Sequence, residues 1–269
     1  MQLYFTSDKF RQFIPDWIVV FILIGFFFQV TEVAQPFFRQ FSINDPTISH
    51  PFAVRERVTD NELYVYSTII PTIIIIVTCL YRGTAIQHSN TLFDKLHLSQ
   101  VSCLGLWFSV VVTSVLTDIF KCWIGNPRPD FLERCGPAPN TPINKLVGIE
   151  VCTAPLGDMY LSDGMKSTPS GHSSMSFAGL LYLSLWILGQ FRMLTKNRSH
   201  ISLGHWVVVL LPILFASYIG LSRTQDYRHH FFDIILGGLI GAAFACLSYF
   251  KYFNWLSDEE CNLPIDYEK

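Results

Sequence analysis

The sequence predicts an all-α integral membrane protein, a bundle of six transmembrane helices. Half of the 269 residues are hydrophobic and only 15% are charged, against roughly 25% charged in an average soluble domain. Six apolar runs approach the roughly 20 residues that a helix needs to cross a bilayer. The net charge is −2, without a basic tract, so a nucleic-acid partner is not expected.

The six runs follow one another with no repeat and no linker long enough to separate domains. They lie at 13–33, 63–81, 101–121, 173–191, 202–221 and 231–253. Pro71 and Pro212 fall inside two runs, where neighbouring helices can satisfy the freed carbonyl groups. Only Lys9 and Arg11 precede the first run, so it is interpreted as an uncleaved helix. We expect one domain over 1–269, with a tail at 254–269 outside the bundle.

The even number of spans places both termini on one side of the membrane. The loop between the third and fourth runs and the join between the fifth and sixth then share the opposite face. Lys and Arg divide almost evenly between the two sides. Setting aside Lys121, Arg128 and Arg223 as functional cations leaves a weak bias for cytosolic termini. The expected location is an endomembrane (ER, Golgi or vacuole) or the plasma membrane, with that opposite face lumenal or extracellular.

The seven cysteines match neither a zinc ligand set nor a small disulfide framework. Cys135 and Cys152 lie in one loop, and they would pair if that loop faced an oxidising lumen. The sequence alone leaves this pairing open.

Polar residues at 222–233 separate the last two apolar runs. His229 and Asp233 are four residues apart, and in a helix they would lie on one face within hydrogen-bonding reach. A carboxylate that accepts the Nδ1 proton leaves Nε2 as a nucleophile or base. His230 is three residues from the same Asp233, so the spacing does not say which ring is held. Arg223 adds a cation, although a solvated polar loop would also explain the segment.

Two further polar segments flank the long loop. Lys121 closes the third run, and Arg128 follows between two prolines. Asp118, one turn before Lys121, is expected to orient that lysine. Before the fourth run come Ser170, Gly171 and His172, an arrangement that suits an anion at a helix N-terminus. A snorkelling lysine and a plain helix cap are the simpler explanations of each segment alone.

The combination of the three segments is more informative than any one of them. On a single membrane face they would collect three cations, two histidines, one aspartate and a serine. Phosphoryl transfer needs mainly positioning and clustered positive charge around three equatorial oxygens. A phosphoryl group is therefore the expected guest.

These segments resemble the three-part signature of the type 2 phosphatidic acid phosphatase superfamily. The matching motifs are Lys-x6-Arg-Pro at Lys121 to Pro129, Pro-Ser-Gly-His at Pro169 to His172, and Ser-Arg-x5-His-x3-Asp at Ser222 to Asp233. The resemblance covers roughly residues 100–250. Within the superfamily, the motifs look most like those of fungal lipid phosphate phosphatases. Asn126 stands where many relatives carry Arg, and Thr168 where many carry Phe.

The resemblance implies a catalytic mechanism with a phosphohistidine intermediate. His229, held by Asp233, would attack phosphorus, and His172 would protonate the leaving oxygen and later activate water. The phosphoryl oxygens would be bound by Lys121, Arg128, Ser170, Gly171 and Arg223. No metal and no other cofactor is expected, since cations already surround the phosphate and no carboxylate cluster with metal-ligand spacing accompanies them.

The implied partner is a membrane lipid, and the implied reaction is hydrolysis of phosphatidate, with lysophosphatidate and diacylglycerol pyrophosphate as further candidates. A relative specialised for sphingoid-base phosphates or polyprenyl pyrophosphates shares the same signature. A lipid-binding or transport protein without catalysis is a third alternative, but it would be expected to lack a signature His or Asp. The oligomeric state is not predicted.

Overall fold

The chain folds into a bundle of long helices that carries two loops over one end. The computed structural model describes residues 2–82, 91–197 and 201–265. No strand forms in these ranges. The helices are α1 (Gln2–Phe5), α2 (Asp8–Arg11), α3 (Ile14–Phe26), α4 (Asp60–Tyr64), α5 (Ile70–Arg82), α6 (Leu92–Ile124), α7 (Phe131–Cys135), α8 (Asp158–Asp163), α9 (Gly171–Gln190), α10 (Leu203–Gln225) and α11 (Phe231–Tyr252).

Two of the spans contain a π-helical turn. The turn Phe27–Thr31 extends α3, and the turn Val65–Ile69 joins α4 to α5. Short 3-10 turns lie at Pro46–Ile48 and Ile149–Val151, both in the loops that cover the bundle.

The membrane-bundle class predicted from the sequence is confirmed, but the count of six spans is not. Within the described ranges, five helical segments are long and apolar enough to cross a bilayer: Asp8–Thr31, Asp60–Tyr81, Leu92–Ile124, Leu203–Gln225 and Phe231–Tyr252. The remaining predicted run forms α9, which has 20 residues. Its serines are buried in the middle of the bundle against α6, α10 and α11. A helix that faces protein on all sides does not need a fully apolar surface.

Helix ends lie beyond several of the predicted runs. α6 starts at Leu92 instead of 101, because Thr91 caps it by accepting the Asp94 N–H. α10 continues to Gln225, four residues past the predicted end. Hydropathy follows the bilayer and not the hydrogen bonding, so it misses polar turns that continue a helix into water.

Glycines of α11 let it approach α9 closely. A Cβ on Gly237 or Gly241 would collide with the carbonyl oxygen of Ser170 or Ser174. Small residues four apart permit such backbone approach between membrane helices. The contact brings the first turn of α9 against the first turns of α11, which is where the predicted site residues lie.

The two loops at 32–59 and 125–170 pack together over one end of the bundle, and we call them the cap. They share a small hydrophobic core of Phe41, Ile48, Phe131, Cys135, Val147 and Met165. Phe41 and Val147 pair through backbone hydrogen bonds across the two loops. A disulfide joins Cys135 to Cys152, a pairing that the sequence left open.

The first part of the tail packs against the opposite end of the bundle. Phe253 pairs with Pro264, the Ile265 N–H donates to the Tyr252 carbonyl, and Cys261 is buried. Outside the described residues lie residue 1 and residues 83–90, 198–200 and 266–269. Arg198 and Lys269, which count toward the division of Lys and Arg between the two membrane sides, are among them.

Candidate active site

Three helix ends and one turn meet beneath the cap around a cavity of about 920 Å³. They are the last turns of α6 and α10, the first turn of α9, and the turn between α10 and α11. The predicted residues that line the cavity are Lys121, Arg128, Gly171, His172, Arg223 and His229. The three sequence segments therefore converge on one face of the bundle.

The end of α6 presents Lys121 to the cavity. Gly125 ends the helix in the left-handed conformation (φ 58°), and its N–H donates to the Lys121 carbonyl. The ammonium of Lys121 lies 3.1 Å from Asp118, the partner expected from the sequence. A Cβ on Gly171 would lie 2.9 Å from Lys121 Nζ, so the absence of a side chain there gives the lysine access to the start of α9.

Arg128 is fixed by the cap. Its Nη2 donates to Asp163 Oδ1 at 2.7 Å, and its Nε donates to the Asp163 carbonyl at 3.0 Å. Asp163 also accepts from Arg134, which in turn forms a buried pair with Asp130. The α8 end of the cap thus sets the orientation of a guanidinium predicted to bind phosphate.

The first turn of α9 supplies Gly171 and His172 to the cavity wall. Ser170 is the N-cap, and its hydroxyl oxygen accepts the Ser173 N–H. The buried His172 places Nε2 at 3.0 Å from the Val58 carbonyl. Ser170 itself lies behind the wall, so its contact with phosphate stays a prediction.

A tight turn between α10 and α11 brings His229 back to Arg223. Tyr227 adopts a positive φ of 53°, an uncommon conformation for a residue other than glycine. The N–H groups of Arg228 and His229 then both lie near the Arg223 carbonyl, at 2.9 and 3.4 Å. Arg223 and His229 consequently face the same cavity.

The orientation of His229 differs from the expected direct bond to Asp233. Its Nδ1 lies 2.7 Å from the Ser167 carbonyl and 3.8 Å from Asp233 Oδ2. Nδ1–H donates to the carbonyl, which leaves Nε2 as the lone-pair nitrogen. Burial lowers the pKa of His229 to about 3, Arg128 and Arg223 act in the same direction, and Asp233 opposes them. The ring is therefore neutral at neutral pH, as a nucleophile must be.

Asp233 acts on His229 through the intervening segment. Its Oδ2 accepts from the Ser167 hydroxyl at 2.6 Å, and its Oδ1 accepts from the Thr168 hydroxyl. The Ser170 N–H also donates to the Asp233 carbonyl, at 3.0 Å. The Asp233 carboxylate thus fixes the Ser167–Thr168 segment, and the Ser167 carbonyl in turn accepts the hydrogen bond from the His229 imidazole.

His230 takes the direct bond to the carboxylate. It is the N-cap of α11, and its N–H and Nδ1 lie 2.9 and 3.3 Å from Asp233 Oδ2. Its Nε2 faces the Thr47 carbonyl at 3.2 Å, away from the cavity-lining residues. The bond to Asp233 raises the pKa of His230. Because both ring nitrogens face acceptors outside the cavity, this ring suits a structural role better than that of a nucleophile.

Three groups at the site had no counterpart in the sequence reasoning. Glu56 and the Val58 carbonyl contact Arg223, and Arg228 contacts Glu56. The sequence signal that could indicate them is the charge cluster Arg55-Glu56-Arg57 before the second span. The loop at 32–59 carries no motif that would connect this cluster to the site.

Part of the cavity wall is apolar. It includes Phe27 at the end of α3, Leu63 and Tyr64 of α4, and Met175 of α9. Within the described ranges, no three His, Cys, Asp or Glu side chains form a group that could hold a metal ion. The cavity lining thus contains both cationic and apolar side chains.

Comparison with known proteins identifies the family. The family model described as "PAP2 superfamily" matches residues 102–257. Diacylglycerol pyrophosphate phosphatase 1 of Saccharomyces cerevisiae is 45% identical over 225 residues, which cover 83% of this chain and 74% of the relative. Lipid phosphate phosphatase 2 of Arabidopsis thaliana is 34% identical over 242 residues, covering 88% and 76%.

A probable diacylglycerol pyrophosphate phosphatase 1 of Schizosaccharomyces pombe is 40% identical over 250 residues, covering 92% of this chain and 84% of the relative. No solved structure gave a significant match. The matched region contains all three signature segments and every predicted site residue. By this match and by the similarity of its relatives, the chain belongs to the PAP2 superfamily.

Proposed function

We propose that the protein is an integral-membrane phosphatase that removes the terminal phosphate of lipid phosphates. The observation that carries the proposal is the grouping of two buried histidines with Lys121, Arg128 and Arg223 around one cavity. The relatives named above as lipid phosphate and diacylglycerol pyrophosphate phosphatases support the same class.

The neutral imidazole of His229 is the nucleophile in this mechanism. Its Nε2 attacks phosphorus, and a P–N bond forms as the bond from phosphorus to the leaving oxygen breaks. His172 gives a proton to that oxygen. The developing negative charge on the phosphoryl oxygens is stabilised by Lys121, Arg128 and Arg223, together with backbone N–H groups at the start of α9.

The second half of the cycle releases phosphate. His172, now able to accept a proton, takes it from a water molecule whose oxygen attacks phosphorus. The P–N bond breaks, and His229 returns to its neutral state. Magnesium has no assigned step, because arginine and lysine already supply the positive charge that phosphoryl transfer requires.

The substrates proposed are phosphatidate, lysophosphatidate and diacylglycerol pyrophosphate. The apolar wall with Phe27, Leu63 and Met175 suits the start of an acyl chain, while the cations receive the phosphate. The names of the two fungal relatives favour a glycerolipid over sphingoid-base phosphates and polyprenyl pyrophosphates. Retention of His172, His229 and Asp233 favours an enzyme over a non-catalytic lipid-binding protein.

The deciding experiment is phosphate release from a panel of lipid phosphates in detergent micelles. The purified wild-type protein should hydrolyse phosphatidate, lysophosphatidate and diacylglycerol pyrophosphate with and without excess EDTA. His229→Ala should lose turnover by several orders of magnitude because the nucleophile is absent, whereas His230→Ala should retain the larger part of it.

Two results would contradict the proposal. Turnover by His229→Ala at the wild-type rate would remove the nucleophile assignment. Loss of activity in EDTA that only magnesium restores would indicate a metal-dependent mechanism. A preference for sphingoid-base phosphates, by contrast, would change only the substrate class and leave the mechanism in place.

A further inference from the structure

A carboxylate of the cap bridges two arginines of the cavity wall. Glu56 Oε2 accepts from Arg223 Nη2 at 2.8 Å, and its Oε1 accepts from Arg228 Nη2 at 2.6 Å. Arg223 and Arg228 are only 2% and 5% exposed. In the described part of the chain, neither Nε atom has a hydrogen-bond partner. Each guanidinium group therefore has a buried Nε–H donor that makes no hydrogen bond to the described residues.

The same cap segment also covers the proposed general acid. The Val58 carbonyl lies 3.0 Å from His172 Nε2 and accepts from Arg223 Nη1 at 2.9 Å. Glu56 and Val58 thus place oxygen acceptors on a continuous row of donors that runs from His172 through Arg223 to Arg228. These donors are of the kind that bind phosphoryl oxygens, so the segment occupies positions that an anion could take.

Arg228 lies close to other cations, those of Arg134 and Arg128 in the cap. Burial, Arg134 and Arg128 lower its pKa, whereas Glu56 and Asp130 raise it. Its guanidinium is centred 4.5 Å from the Phe52 ring, an arrangement that orients the planar fork. Asp130 lies 3.7 Å away but is also paired with Arg134. An additional anion would be attracted to this group of cations.

We propose that Arg228, together with Arg223, which it shares with the site of the transferred phosphoryl group, forms a second anion subsite. This subsite binds the lipid-linked phosphoryl group of a diphosphate lipid, and Glu56 covers it until the substrate displaces it. The inference rests on the proposed function and assigns part of its specificity. Arg223, which shares the Val58 carbonyl with His172, connects this subsite to the group proposed to protonate the leaving oxygen.

The chemistry separates the two substrate types. With a diphosphate lipid, His229 attacks the terminal phosphorus, the bridging P–O bond breaks, and His172 protonates the bridging oxygen of the departing lipid monophosphate. That leaving group is an anion and pairs with Arg228. With phosphatidate the leaving group is a neutral alcohol, which gives Arg228 no charge to bind.

The test compares kcat/KM for diacylglycerol pyrophosphate and phosphatidate in mixed micelles. Arg228→Gln should lower the ratio of the two values roughly 10- to 100-fold, the effect of losing hydrogen bonds to a charged group. Arg228→Lys, which keeps the charge but not the fork, should fall between this variant and wild type. Arg57→Gln is the matched control, since Arg57 lies on the same segment with a half-exposed side chain and pairs with Asp226.

An unchanged ratio in Arg228→Gln would overturn the inference, even if both substrates are turned over and the proposed function stands. Failure of the wild-type protein to hydrolyse either lipid would instead reject the proposed function. Binding provides a readout that needs no turnover. Methylenediphosphonate should stabilise the wild-type protein against heat more than methylphosphonate does, and Arg228→Gln should abolish the difference.

Glu56→Gln tests the covering role and does not depend on the folding of Arg228 variants. Removing the competing charge should lower KM for the diphosphate lipid roughly three- to tenfold. A rise in KM would mean that Glu56 only supports the arginines, and it would overturn the proposal that Glu56 yields its place to substrate.

Discussion

At the scale of single residues, the two departures from the family signature belong to one hydrogen-bond network. Asn126 Nδ2 donates to Thr168 Oγ1 at 2.9 Å, and that hydroxyl donates to Asp233 Oδ1. In the sequence, Asn126 and Thr168 are two separate departures from the residues that many relatives carry. The structure connects both to Asp233, the carboxylate that supports the proposed nucleophile through Ser167. A hydroxyl at position 168 is thus part of how this chain orients His229.

Thr168→Val should lower kcat roughly 10-fold and leave KM near the wild-type value. The substitution keeps the shape of the side chain but removes a hydrogen bond to a charged group, which contributes about 1.5–3 kcal/mol. Thr168→Ser should restore kcat because it keeps the hydroxyl. The measurement is steady-state kinetics on phosphatidate micelles.

Asn126→Ala provides the control for the network. It should cost about threefold in wild type and nothing further in Thr168→Val, since the Asn126 amide acts through the hydroxyl. Equal impairment of Thr168→Ser and Thr168→Val would show that side-chain fit, and not hydrogen bonding, matters at this position.

The spacing of His229 and Asp233 predicted proximity, which the structure gives, but not the path of the hydrogen bond. The acceptor of His229 Nδ1 is a backbone carbonyl, that of Ser167. A carbonyl is present at every residue and leaves no mark in the sequence. Spacing alone likewise does not choose between His229 and His230. The family resemblance implied His229, and the structure places His229 in the cavity wall.

At the scale of helices, the site depends on how closely α9 and α11 approach. Gly237 lies one turn after Asp233, against the Ser170 carbonyl. The same Ser170 donates its N–H to the Asp233 carbonyl. The contact between these helices therefore sets the position of the Ser167–Thr168 segment relative to the carboxylate that holds it.

Gly237→Ala should reduce both thermal stability and kcat, because its Cβ would collide with the Ser170 carbonyl and push α9 away from α11. Overpacking of this kind costs roughly 1–3 kcal/mol. Gly238→Ala is the matched control on the next residue, where a Cβ would meet Phe177 at an ordinary 3.4 Å. Thermal unfolding in detergent and phosphate release measure the two effects. Equal behaviour of the two variants would contradict the close-contact argument.

The apolar runs predict that the helices exist, but they do not predict which helix lies at the centre of the bundle. The run at 173–191 was predicted as a span like the others, yet α9 is the central helix and buries its serines against three neighbours. Two hydroxyl groups at these contacts show why. Ser173 of α9 donates to the Ile234 carbonyl of α11, and Ser109 of α6 donates to the Ala178 carbonyl of α9. Hydropathy counts such residues as polar without registering that their partners lie inside the protein.

At the scale of the whole molecule, the cap is the part that the sequence described least. Its loop at 32–59 carries no motif, but it supplies Glu56 and Val58 to the site and pairs with the other loop through Phe41 and Val147. Long-range contacts between irregular segments have no periodicity to detect. The signature residues, by contrast, were predictable because their spacing encodes helix ends and turns.

The cap also carries the feature that predicts which side of the membrane the active site faces. The Cys135–Cys152 disulfide lies within it, and disulfides persist in oxidising compartments. We therefore expect the cap on the lumenal or extracellular side and the tail after α11 in the cytosol, an orientation that the distribution of Lys and Arg favoured only weakly.

Labelling of single introduced cysteines measures this orientation. Asn140, in the cap, and Ser257, in the tail, are both exposed, so Asn140→Cys and Ser257→Cys form a matched pair. In sealed vesicles with the cytosolic side outward, a membrane-impermeant maleimide should label Ser257→Cys directly. It should label Asn140→Cys only after detergent permeabilisation, with the wild-type protein giving the background. Labelling of Asn140→Cys in sealed vesicles would put the cavity in the cytosol, where a disulfide is not maintained and lumenal lipid headgroups could not reach His229.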